Sequence, residues 1–137
     1  LIYKGKNVCL GYAEKRKDLS KGNINNNILK TGDIATFDKD GFYYLIGRKK
    51  RFVKIFGHRV NLDDIEKKFY DLNFQCACSG NDNKINFYIK NKNLSSEKKI
   101  KEIIRRDFGF IRDNYKIFLV TKIERNESGK ILYHKYH

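Results

Sequence analysis

From Phe52 onward the apolar residues switch repeatedly between strand-like alternation and helical spacing, with no proline anywhere in the chain. That order constrains the fold more than any other feature. Val53 and Ile55 alternate with Phe52, Lys54 and Phe56, the period of a strand. Asn61 suits a helix N-cap, and Asp63 and Asp64 fall in the first turn, where carboxylates complement the positive end of the helix dipole. Leu62, Ile65, Phe69 and Leu72 then follow helical spacing. Residues 74–78 and 84–89 read as a hairpin around Gly80-Asn-Asp-Asn83. Ser95 or Ser96 caps a second helix whose Ile100, Ile103, Ile104 and Phe108 share a face, and Gly109 ends it. Residues 115–123 form a last strand. The succession β-α-β-β-α-β predicts an α+β domain, with a β-hairpin and a three-stranded sheet flanked by helices.

The first third of the chain reads differently. Residues 1–12 carry strand-like apolar positions with a turn around Gly5-Lys-Asn7. Residues 13–29 are polar and Asn-rich and read as an exposed loop. Residues 34–37 and 42–46 are short β runs, joined by the turn Asp38-Lys-Asp-Gly41. The charged run Lys49-Lys-Arg51 marks the boundary between the two parts.

The chain has 137 residues, 40% of them hydrophobic and 34% charged, which is enough apolar material for a modest folded core. No apolar run is long enough to span a membrane. The opening Leu1-Ile-Tyr starts in mid-pattern without a Met, so a piece of a longer protein is expected. The net charge of +14, from 30 Lys and Arg against 16 Asp and Glu, favours anionic partners. The bias to Lys, Asn and Ile is equally what a skewed composition produces. Cys9, Cys76 and Cys78 make no even disulfide framework. Cys76 and Cys78 fall on one face of a strand and read as buried thiols, which suits a reducing, cytoplasmic compartment.

Several residues could carry chemistry. Asp33 follows Thr31-Gly32 in a turn; a carboxylate there can accept hydrogen bonds from vicinal hydroxyls, or simply close the turn. Arg48 ends a strand and can bind phosphate or ribose oxygens, or form a surface ion pair. Lys54 sits on a strand near Gly57 and Arg59; glycine lets a thin ligand approach the backbone, though a half-exposed hairpin would look the same. Lys130 stands on the glycine-flanked loop Asn126-Glu-Ser-Gly129. His58, His134 and His137 lack the carboxylate pattern of a metal centre, and no metal site is expected.

The runs Lys30-Thr-Gly-Asp-Ile-Ala35, Gly41-Phe-Tyr-Tyr-Leu-Ile-Gly-Arg48, Phe52-Val-Lys-Ile-Phe-Gly-His-Arg-Val60 and Ser128-Gly-Lys-Ile131, in this order, resemble the C-terminal signatures of the AMP-forming adenylating enzymes. That superfamily contains acyl-CoA synthetases, luciferases and carrier-loading adenylation domains. The resemblance implies three parts. Residues 1–48 would be the terminal β segment of a large N-terminal domain, 49–51 a hinge centred on Lys50, and 52–137 a mobile C-terminal lid. It implies that Asp33 binds the ribose of ATP and that Arg48 contacts the nucleotide. Lys130 would serve adenylation. Lys54, Gly57 and Arg59 would serve thioester formation after the lid rotates, along the channel for a pantetheine arm.

The run Val53–Glu66 and the segment Gly129-Lys-Ile-Leu-Tyr133 look most like amino-acid-activating domains. The expected function is therefore ATP- and Mg2+-dependent activation of a small carboxylate, by preference an amino acid, as its adenylate. Transfer to the phosphopantetheine thiol of a carrier protein would follow. The alternative is an acyl-CoA synthetase using CoA. The implied partners are the large N-terminal domain, which holds the phosphate loop and the acyl pocket, and the carrier; this piece alone is expected to be inactive. A stand-alone basic module for RNA or another polyanion, with aromatic and Lys residues interleaved around Phe87-Tyr-Ile-Lys90, is the less favoured reading. No interaction with a membrane is expected.

Overall fold

The computed structural model describes residues 1–90 and 96–136, and it divides into two compact units that meet in sequence between Lys50 and Arg51. The strands of the first unit are short. Strand β1 (Ile2–Lys4) pairs antiparallel with β2 (Ile28–Lys30), and β3 (Asp33–Phe37) pairs antiparallel with β4 (Tyr43–Arg48). The polar stretch expected as loop through residue 29 is interrupted by a 3-10 helix, Arg16–Lys21, and its end is already strand β2. Pairing with β1 recruits Ile28 and Leu29, a long-range contact that local polarity does not reveal. Residues 9–12 are not strand, because only Ile2–Lys4 finds a partner.

The turn after β3 is built on Asp38. Its Oδ1 accepts the backbone N–H groups of Asp40 and Phe42, each at 3.0 Å, and its Oδ2 accepts the Tyr44 hydroxyl at 2.7 Å. These bonds, the Tyr44 hydroxyl first, hold the Asp38 carboxyl below the usual carboxylate range. Val8 alone among the large apolar residues of this unit is buried, whereas Phe37, Tyr43, Tyr44, Leu45 and Ile46 are all more than half exposed. A two-stranded ribbon with no core of its own is marginal in water. The apolar surface on β3 and β4 is of the kind that another protein surface covers.

The second unit has a real core. Strand β5 (Phe52–Ile55) and β6 (His58–Asn61) form a hairpin, α1 spans Leu62–Asp71, and β7 (Cys76–Asn81) pairs antiparallel with β8 (Lys84–Lys90). After α2 (Ser96–Phe108), β9 (Tyr115–Val120) returns parallel to β8, which gives the sheet order β7-β8-β9. The α+β class and the three-stranded sheet expected from the sequence are present. Some boundaries differ. Phe74 and Gln75 precede β7, the hairpin turn sits at Asp82-Asn83, and β9 stops at Val120 instead of Ile123. Ile123 keeps its apolar character for another purpose, packing with Ala77, Tyr88 and Tyr136 against the second face of the sheet.

Helix α1 begins where Asn61 Oδ1 accepts the N–H of Asp63 at 3.1 Å, and it buries Leu62, Ile65 and Phe69. It ends as Asn73 adopts a left-handed conformation and Phe74 N–H returns to the Phe69 carbonyl at 2.9 Å. Phe69 lies at the centre of the core. Its ring meets Phe87 at 5.7 Å and Phe74 at 6.1 Å, both edge-on, and stacks on Phe108 at 6.3 Å. Ile100, Ile103 and Ile104 of α2 join the same cluster, together with Ile85, Phe87 and Ile89 of β8. The Ser95 cap candidate lies outside the described residues; Ser96 is the first residue of α2. Cys76 and Cys78 are buried free thiols with their sulfurs 3.6 Å apart, and burial pushes the Cys78 thiol well above its ordinary value.

A part-buried polar cluster lies within this unit. The Arg51 guanidinium, 11% exposed, donates from Nε to Asp63 Oδ1 at 2.6 Å, from Nη1 to the Cys78 carbonyl at 2.8 Å and from Nη2 to Glu66 Oε1 at 2.6 Å. Glu66 Oε1 also accepts the Cys78 N–H at 2.6 Å, and Oε2 accepts the Tyr133 hydroxyl at 2.7 Å. The guanidinium carbon lies 4.0 Å over the Tyr133 ring. Burial lifts the Glu66 carboxyl above its ordinary value, while Arg51, Cys78 N–H and the Tyr133 hydroxyl pull the other way. Three donors converge on the Glu66 carboxyl, so both of its oxygens act as acceptors. Burial also raises the Tyr133 phenol, and the bond to Glu66 adds to that, so the hydroxyl keeps the proton it donates.

Two measurements test this account. Phe69→Ala should destabilise the second unit by about 3–5 kcal/mol, read as a shift of the denaturant midpoint. Arg51→Met, which strands two carboxylates around a part-buried site, should cost about 3–5 kcal/mol. In the same titration Arg106→Met, which removes an exposed neighbour pair with Asp107, should leave the midpoint where it was.

Candidate active-site residues on a turn, a hairpin and a loop

Asp33 and Arg48 stand directly opposite each other in the β3–β4 ladder. Their side chains meet, with Arg48 Nε 2.7 Å from Asp33 Oδ1. The Asp33 backbone N–H donates to Thr31 Oγ1 at 3.1 Å, Arg48 Nη1 donates to the Thr31 carbonyl at 3.3 Å, and Lys49 N–H donates to the Gly32 carbonyl at 2.8 Å. Sequence spacing suggested two separate contacts; the ladder makes them one unit, a carboxylate braced by a guanidinium. The Asp33 side chain is 20% exposed and that of Arg48 is 65% exposed, so both remain open to a ligand. Such a pair can accept from vicinal hydroxyls through the carboxylate and donate to an anion through the free edge of the guanidinium.

Lys54, Gly57 and Arg59 share the β5–β6 hairpin. Lys54 is cross-strand partner to Arg59, and both are exposed, while Val53 and Ile55 turn into the core. The hairpin closes through Phe56 and Gly57, with φ of 50° and 78°. Two successive positive φ values are the signature of a type I′ turn, which glycine adopts without a Cβ penalty. Nothing lies within 4 Å of the position a Gly57 Cβ would take, so the backbone there is open. Arg59 folds its guanidinium 4.1 Å over the Phe52 ring, and the Lys54 N–H donates to Asp82 Oδ1 at 3.0 Å. The hairpin presents two cations on one exposed face. Lys50 lies in a 3-10 turn, Lys49–Arg51, and is exposed.

Lys130 stands apart from that hairpin on its own loop. Asn126 N–H donates to the Lys130 carbonyl at 2.9 Å, and Lys130 N–H donates to Asn126 Oδ1 at 2.9 Å. Gly129 takes φ of 79°, and Arg125 Nη1 donates to the Gly129 carbonyl at 2.7 Å. Arg125 and Ile131 form an antiparallel bridge below the turn. The loop is thus a short closed ladder with a fixed backbone and an exposed lysine side chain. Among the described residues, that side chain has no hydrogen bond or ion pair. Sequence reasoning missed the role of the Asn126 side chain, although an Asn three residues before a Gly-Lys step is the local signal for such a closed turn.

Among the described residues, no three His, Cys, Asp or Glu side chains gather as metal ligands, and no helix is long and apolar enough to cross a membrane. His58 is on β6 and His134 on a 3-10 turn, Tyr133–Lys135; His137 lies outside the described residues.

No protein-family profile matches the chain. An acetyl-coenzyme A synthetase of Pyrobaculum arsenaticum is 30% identical over 113 residues, which cover 74% of this chain and 17% of that protein. The 4-coumarate–CoA ligase-like 6 of Arabidopsis thaliana is 26% identical over 141 residues, covering 96% of this chain and 25% of its own length. Among solved structures, the O-succinylbenzoate coenzyme A synthetase from Bacillus subtilis in complex with AMP aligns with a TM-score of 0.63 at 22% identity, covering 98% of this chain and 29% of that one. An anthranilate CoA ligase in complex with anthranoyl-AMP aligns with a TM-score of 0.61 at 19% identity, covering 98% and 27%. The chain therefore spans about a sixth to a quarter of the length of these two sequence relatives, and the structural likeness carries the fold. The chain belongs to the superfamily of AMP-forming adenylating enzymes and corresponds to their C-terminal part.

Proposed function

We propose that the chain is the terminal β segment and the mobile lid of an AMP-forming ligase, with residues 1–48 completing a larger domain, Lys50 as the hinge and residues 52–137 as the lid. The exposed apolar residues on both faces of the β3–β4 ribbon support the first part of this reading: Phe37, Tyr43, Tyr44, Leu45 and Ile46 need a surface that this unit does not supply. The observation that carries the reading as a whole is Lys130, an ammonium with no partner among the described residues, on a loop whose backbone is locked by Asn126.

ATP supplies an electrophilic phosphorus and a leaving pyrophosphate. A carboxylate oxygen attacks the α-phosphorus and the bond to pyrophosphate breaks, giving an acyl-adenylate. Negative charge is redistributed as two anions approach, and a positioned ammonium offsets it. Lys130 takes that role. Asp33 accepts from the ribose hydroxyls, and Arg48 both braces Asp33 and donates to the nucleotide. Among the described residues no carboxylate cluster is suited to Mg2+. In the second half-reaction a phosphopantetheine thiol displaces AMP from the acyl group, forming a thioester. The open backbone at Gly57, with Lys54 and Arg59 on the same hairpin, lines the path of that thiol.

The acceptor is CoA or the phosphopantetheine arm of a carrier protein. The relatives named for CoA ligation favour CoA. The Val53–Glu66 run and a net charge of +14, attractive to an acidic carrier, keep the carrier as the second reading, with an amino acid as the carboxylate. The free thiols suit a reducing, cytoplasmic setting.

In the intact protein, Lys130→Ala should lower carboxylate-dependent pyrophosphate exchange by about 10²–10³-fold while leaving the melting temperature unchanged. Exchange at the wild-type rate would remove Lys130 from the chemistry. Supplying free CoA and a phosphopantetheinylated carrier in parallel should yield thioester with CoA; thioester with the carrier alone would move the assignment to carrier loading.

A further inference from the structure

Beneath the Lys130 loop lies a polar assembly that the proposed chemistry does not use. The loop's two stems are joined by the Arg125–Ile131 bridge and by Leu132 N–H donating to the Glu124 carbonyl at 3.0 Å. This stub is anchored to the rest of the unit at two points. On one side Ile123, Ile131 and Tyr136 pack with Ala77 and Tyr88, and the Tyr136 hydroxyl accepts the Glu124 N–H at 2.6 Å. On the other side Tyr133, three residues after Lys130, reaches helix α1 through its hydroxyl bond to Glu66.

The second anchor is far stiffer than an ordinary tyrosine contact. Its acceptor carboxylate is pinned by Arg51 Nη2 and by the Cys78 N–H, each at 2.6 Å. Arg51 is in turn fixed by Asp63 and the Cys78 carbonyl, and it caps the Tyr133 ring. Hydrogen bonds to an ionised acceptor are roughly twice as strong as neutral ones. The apolar packing of the first anchor is non-directional and its one hydrogen bond, Glu124 N–H to the Tyr136 hydroxyl, joins two residues of the stub itself, whereas the phenol-to-carboxylate bond ties the stub to helix α1 in one rotation. Arg51 also follows directly on Lys50 in the sequence. A single guanidinium therefore ties the first residue of this unit to the base of the lysine loop.

We propose that Arg51, Glu66 and Tyr133 form a positioning clamp that sets where the Lys130 ammonium is held for adenylation. This rests on the reading of Lys130 given above. Because the clamp acts through Lys130 and touches no reacting atom, its loss lowers turnover without weakening substrate binding.

The test uses Tyr133→Phe, which keeps the ring under Arg51 and removes only the hydroxyl. In the intact protein it should reduce kcat for pyrophosphate exchange by about 10–100-fold, the range expected for misplacement of a catalytic group by about 1 Å, with KM for ATP and carboxylate unchanged. In a Lys130→Ala background the same substitution should add nothing further. A wild-type kcat for Tyr133→Phe, or an equal loss in both backgrounds, would overturn the clamp. If Lys130→Ala itself leaves exchange untouched, the functional reading fails, and the clamp is judged on this chain alone by amide hydrogen exchange. Faster exchange at Lys130 and Leu132, with β8 amides unchanged, supports it; equal rates at those amides overturn it.

Discussion

The second unit is organised around one guanidinium taken out of water. Arg51 satisfies its donors with two carboxylates and a carbonyl, from helix α1 and strand β7, and covers the ring of Tyr133 near the C-terminal end. Burying a charge is costly, and an apolar substitute for the whole set would be at least as stable. What the set supplies is direction. Hydrogen bonds to Asp63, Glu66 and Cys78 admit one arrangement of α1 against β7, and the Tyr133 bond adds one placement of the terminal segment. The aromatic core around Phe69 provides most of the driving force for collapse but would tolerate small shifts.

The two units differ in how far they satisfy their own surfaces. The second buries Phe69, Phe87 and three isoleucines of α2, and every strand but β9 has its neighbours or its turn nearby. The first buries Val8 and leaves the aromatic positions of β3 and β4 in water. That asymmetry fits the proposed division, in which the first unit completes a larger domain and the second works as a lid. It also separates the candidate site residues by mechanical character. Asp33 and Arg48 are braced in a ladder, Lys54 and Arg59 ride on a tight hairpin, and Lys130 stands on a small closed loop.

Much of this was legible in the sequence, for local reasons. The Asn61 cap, the Leu62–Phe69 helix face, the left-over glycine after Phe108 and the Asp38 turn each depend on neighbours within a few residues. The four signature runs pointed to the superfamily because each combines a backbone requirement with a charged side chain. Strand β2 was not legible, since Ile28 and Leu29 become a strand only through a partner at the other end of a polar stretch. The end of β9 was misjudged for a related reason: Ile123 is apolar because it covers the second face of the sheet, and burial alone does not tell a strand from a loop that packs.

The sequence by itself determined the order of elements from Phe52 onward, the helix faces and the turn chemistry. It did so because periodicity, capping and φ preferences are properties of short segments. Only the tertiary structure decided that Arg51, one of the charged run Lys49-Lys-Arg51, is largely withdrawn from water, and that Glu66 and Tyr133, 67 positions apart, share a hydrogen bond. Pairing at such separation depends on how α1 and the C-terminal segment pack, and no local preference encodes which cation will lose its water.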